Sequence, residues 1–196
     1  MSAINLVKQI KFLLEISSTR QIIRRYFVVN GFDGALTMLG IITGFLFSAS
    51  AELPVIISAC HGAAIALGVS GVSSAYISET AERQRALLQL EDAMIKDLHD
   101  SAHGHAARLM PMLIALVNGF SPLIISILII LPLWIANAGI ELPAQPLHLA
   151  IVNALIMIFL LGVFLGRIAE ISWIRSGLQT LVIAVLTTAL IYFVLA

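Results

Sequence analysis

The sequence predicts an all-α integral membrane protein with five transmembrane helices, on three observations. Of its 196 residues, 60% are hydrophobic and 11% charged, with a mean hydropathy of +1.02; soluble domains lie far from these values. The apolar residues gather into runs of about 20, the length at which a helix crosses the hydrocarbon core. The eleven Lys and Arg residues fall only in the N-terminal arm, in segment 78–108 and in the link 167–175. Five spans bring all of these to one side, and the positive-inside rule makes that side the cytoplasm. The N-terminus is then expected in the cytoplasm and the C-terminus outside, in the cell (cytoplasmic) membrane. One membrane domain with no separate soluble domain is expected from the length.

Residues 1–25 set Leu6, Ile10, Leu13 and Leu14 opposite Lys8, Lys11 and Glu15. That spacing predicts an amphipathic helix at the membrane interface, ending in the basic cluster Arg20, Arg24 and Arg25. The same charges interrupt the apolar core that a cleavable leader needs. The first span, about 26–49, is rich in glycine, and Gly40 and Gly44 form a G-x-x-x-G suited to close helix contact, here expected at a dimer interface. A turn at Glu52 and Pro54 leads to the second span, about 55–77, with His61, Cys60 and a small-residue stripe over Ala64, Gly68, Gly71 and Ala75. His61 is expected to bond locally, and Cys60 lacks a second cysteine to pair with.

Segment 78–108 turns polar, keeping Ala86, Leu87, Leu90, Met94 and Leu98 as an apolar stripe. It is expected to extend the second helix into the cytoplasm. The third span, about 110–136, contains Asn118, Gly119, Ser121 and Pro122; the fourth, about 147–165, carries Asn153 and a second G-x-x-x-G at Gly162 and Gly166; the fifth covers about 177–196.

Two constellations carry chemistry. In the first span the single formal charge is Asp33. An ionised acid in a hydrocarbon span costs roughly 3 kcal/mol on insertion scales and by default marks a pathway, a partner or an ion. It lies about 10 Å inside the cytoplasmic end of its span at 1.5 Å per residue. Burial disfavours a charged carboxylate while an approaching cation favours it, so proton and metal compete there. Gly34, Thr37 and Met38 are expected beside it on a translocation path, with Asn30 a further helper. The alternative for Asp33 is a hydrogen bond to a neighbouring helix that serves packing alone.

The second constellation is the cytoplasmic set Glu79, Glu82, Glu91, Asp92, His99, Asp100, His103 and His105. On a continuous helix Asp92, Lys96, His99 and His103 form one stripe, with the two histidines at i and i+4 able to share a divalent ion. Imidazole with carboxylate suits iron, manganese or zinc better than calcium or magnesium. The competing reading is a charged face exposed to water.

Arg25 through Gly44, with Phe32-Asp33-Gly34 and a glycine ten residues after Gly34, resembles the first helix of the vacuolar iron transporter family. That family's pattern is an Arg, then N-D-G-L, then a later Gly. Tyr76-Ile77-Ser78 resembles the Y-V-S that closes its second helix, and the acidic segment that follows resembles its cytoplasmic metal-binding region. The resemblance implies a homodimer, divergent and of prokaryotic type, that moves Fe²⁺ or Mn²⁺ out of the cytosol in exchange for protons along a path between the two first helices. Asp33 matches the family's pathway aspartate. Tyr26, Phe32, Gly71 and Ala75 stand where the family carries an acid, an Asn, a Met and a Glu.

The expected function is therefore proton-coupled transport of divalent transition metal, with metal ions, protons, the bilayer and a second copy as partners, and no tightly bound cofactor or nucleic acid. The alternative is a membrane metal sensor or interaction protein on the same scaffold. No nucleophile, triad, phosphate loop or cofactor motif points to an enzyme.

Overall fold

The computed structural model describes residues 19–47 and 51–195. The amphipathic helix expected over 1–25 lies, up to residue 18, outside the described residues. Five helices follow: α1, Thr19–Phe47; α2, Leu53–Met94; α3, Ala102–Asn137; α4, Pro146–Ile168; and α5, Trp173–Leu195. Each is long and apolar enough to cross a membrane. Large apolar side chains stay exposed along them, such as Val182, Leu186, Leu190 and Phe193 on α5. A bilayer covers such surface; water does not.

The basic cluster and the first span are one helix, since α1 runs unbroken from Thr19 through Arg25 to Phe47. The continuous cytoplasmic helix expected over 78–108 is instead two pieces. α2 has 42 residues, about 63 Å of helix, twice the ~30 Å hydrocarbon thickness. It stops at Met94 although the residues beyond keep helical spacing. Ile95 turns left-handed, φ 50°, and the Lys96 N–H donates back to the Glu91 carbonyl at 3.2 Å, closing a Schellman cap. The Glu91 carboxylate then accepts the Leu98 N–H at 2.9 Å. Ser101 opens α3 by accepting the Gly104 N–H at 3.3 Å, an N-cap bond. Gly104 is required there, because a Cβ would stand 2.6 Å from the Leu98 carbonyl oxygen.

The chain divides into two compact units. One joins the described residues up to Phe27 with Val69–Phe120, and so holds the start of α1, the polar end of α2, the 95–101 link and the first half of α3. Its α2 and α3 meet where the Asn118 amide donates to the Gly71 carbonyl at 2.7 Å.

The other unit joins Val28–Gly68 with the chain from Ser121 onward. Met38, Leu39 and Ile42 of α1, Ile129, Ile130 and Leu133 of α3, and Ile158 of α4 are fully buried there. In α4 every fourth residue from Ala150 through Ala154, Ile158, Gly162 and Gly166 is buried. This stripe receives α5, whose Thr180 hydroxyl donates to the Gly177 carbonyl at 2.8 Å and lies 3.1 Å from that of Ile158. The second G-x-x-x-G thus serves contact within the chain, where van der Waals fit replaces a hydrophobic driving force. His61 of α2 bonds locally, its Nδ1 2.8 Å from the Ile57 carbonyl. Its ring stacks on Trp134, with centroids 5.0 Å apart and planes at 8°.

Candidate functional site

Asp33 projects from α1 with its side chain exposed, and its carboxylate has no hydrogen-bond or ion-pair partner among the described residues. Its expected companions divide. Gly34 is buried against α3, where a Cβ would fall 2.7 Å from the Pro122 carbonyl oxygen and 2.8 Å from its Cα; its small size serves helix packing. The Thr37 hydroxyl donates to the Asp33 backbone carbonyl at 2.7 Å, leaving the carboxylate untouched. Met38 is fully buried in the core, about 140° around the helix from Asp33 at 100° per residue. It is a packing residue, and the open α1 face is carried by Val29 and Asp33. Gly40 turns toward Ile191 of α5, 3.6 Å from where its Cβ would stand. That is an ordinary van der Waals contact, and Gly40 and Gly44 are both partly buried.

Of the expected cytoplasmic ligands, Glu79 is the buried one, at 9% exposure. Both of its oxygens are engaged: the Tyr26 hydroxyl donates to Oε1 at 3.2 Å, and Arg83 Nε lies 3.7 Å from Oε2. The Arg25 guanidinium sits over the Tyr26 ring, 5.6 Å from its centroid, close enough for cation–π attraction. Together with Glu82 and Ser78 these residues line a cavity of about 510 Å³. The Tyr26 hydroxyl thus holds an acid from another helix. Arg83 was legible as an i, i+4 partner of Glu79; Tyr26, 53 residues away, had no sequence signal.

The histidines do not form the expected stripe. His99 lies in the 95–101 link and His103 in the first turn of α3, so the helix break separates a pair that needed one continuous helix. His99 Nδ1 is 3.8 Å from Asp100 Oδ1, both side chains well exposed. His103 lines a small cavity of about 120 Å³ beside Arg83, Leu87 and Leu90. Glu82, Asp92 and His105 are exposed and Glu91 is committed to the link. Among the described residues no three His, Cys, Asp or Glu side chains gather as a group able to hold a metal ion.

An all-helical architecture with five apolar helices and one open carboxylate within the first defines a helical membrane protein. The chain is 32% identical over 174 residues to an uncharacterized protein of Methanocaldococcus jannaschii, the match covering 87% of each chain, and it belongs to that protein's family. No protein-family model and no solved structure matches it.

Proposed function

We propose that this protein carries a divalent transition-metal ion, Fe²⁺ or Mn²⁺, out of the cytosol in exchange for protons, through an intramembrane site that two copies of the chain complete. The observation that carries the reading is the Asp33 carboxylate, exposed on α1 and without a partner among the described residues. In a bilayer such a group needs a partner that the described residues of the single chain do not provide. A second copy meeting it across the Val29 and Asp33 face supplies one. Two Asp33 carboxylates then carry a charge of about −2, which one divalent ion or two protons neutralise, so each species displaces the other. The resemblance of the Asp33 stretch to vacuolar iron transporters supports the same role. The acids and histidines between Glu79 and His105 would raise the local cation concentration at the cytoplasmic face.

Purified protein in liposomes with an imposed proton gradient tests this. The expected result is Mn²⁺ or Fe²⁺ flux with counter-movement of protons, abolished in Asp33→Asn. Wild-type protein that moves no ion under the gradient overturns the carrier reading.

A further inference from the structure

We propose that the cavity between α2, the 95–101 link and α3 binds a group that pairs a phosphate with a primary ammonium, the chemistry of an ethanolamine phospholipid head and of free phosphoethanolamine. The cavity measures about 540 Å³, within the range of small-ligand sites. Its walls hold Arg108 and Glu91, opposite charges that form no ion pair with each other. Both grip the link instead. Arg108 Nη2 donates to the His99 carbonyl at 2.8 Å and its Nε to that of Gly104 at 3.3 Å, while Glu91 Oε1 accepts from the Leu98 N–H at 2.9 Å. The two charged heads are thereby fixed to consecutive residues of the link. Among the described residues Arg108 keeps Nη1 free, and Glu91 keeps Oε2.

The free guanidinium edge suits a phosphate, which it meets with paired N–H donors. The free carboxylate oxygen suits an ammonium that can donate to it; a quaternary amine has no N–H to offer. Thr80 stands on the same wall. Tyr76 and Ala107 line the cavity where the apolar runs of α2 and α3 give way to polar sequence. That level is where amphipathic aromatic side chains and lipid heads meet.

The test uses the full chain in detergent micelles, titrated with short-chain phosphatidylethanolamine, phosphatidylcholine and phosphatidylglycerol and followed by native mass spectrometry. The ethanolamine lipid is expected to bind at least about tenfold more tightly than the other two. Arg108→Gln should lower its affinity about tenfold, and Glu91→Gln should erase its advantage over the glycerol lipid. Because Arg108 also ties down the link, Leu88→Trp serves as a second variant, filling the cavity while leaving the link bonds in place. Soluble phosphoethanolamine that competes at concentrations equal to the lipid identifies the free molecule as the ligand; failure to compete identifies the lipid. Equal binding of all three lipids, or full ethanolamine-lipid binding by Leu88→Trp, overturns the proposal.

Discussion

Replacing Gly34 by Ala separates packing from transport in the Asp33-Gly34 motif. The added methyl would stand 2.7 Å from the Pro122 carbonyl oxygen, 2.8 Å from its Cα and 3.0 Å from its Cβ. Ordinary carbon contacts are about 3.5–4.0 Å, so α1 and α3 must part locally by roughly 0.7–1 Å. Two of the three clashing atoms are backbone, and no rotamer change relieves them. Overpacking of this kind costs about 1–3 kcal/mol, while the higher helix propensity of Ala returns up to about 1 kcal/mol. Gly62→Ala supplies the control within the same protein, because a Cβ there meets nothing within 4 Å. Thermal unfolding of both variants in one detergent should show Gly34→Ala destabilised by several degrees and Gly62→Ala level with or above wild type. Equal midpoints for the two would refute the account of Gly34 as a close-packing residue and return it to the pathway.

The remaining predictions concern the polar end of the chain. Tyr26→Phe removes the donor to Glu79 Oε1, and a double-mutant cycle with Glu79→Gln, followed by chemical unfolding, should give a coupling of about 0.5–1.5 kcal/mol. Ile95→Gly relieves a β-branched residue held at φ 50° with its side chain 94% exposed. Relief of about 1–2 kcal/mol, less roughly 0.5–1 kcal/mol for the freer unfolded chain, leaves a net gain. Hydrogen exchange should record it as slower exchange of the Lys96 and Leu98 amides.

The five helices were legible because a bilayer demands long apolar runs, and such runs stand out whatever packs on them. The break after Met94 was not, since Ile at a left-handed cap defies propensity and the bond that holds it comes from the Glu91 side chain seven residues before Leu98. The apolar spacing through Leu98 predicts continuity, whereas the cap at Ser101 and Gly104 starts a new helix. The glycine pairs show a different limit. Gly162 and Gly166 meet α5 and Gly40 turns to Ile191, and a G-x-x-x-G reads alike whether its partner is the same chain or another. For the candidate site, Asp33 was visible as the single charge in its span, whereas Tyr26 and Glu79 meet only through folding.

The His61–Trp134 stack gives the molecule a built-in optical probe. The Ile57 carbonyl can only accept, so Nδ1 of His61 must carry its hydrogen, and Nε2 is the one ring nitrogen left to take up a proton or a metal. Either event places positive charge against the indole face, where emission responds to it. With two tryptophans in the chain, replacing Trp173 leaves a single emitter that registers the chemical state of that imidazole without any attached dye.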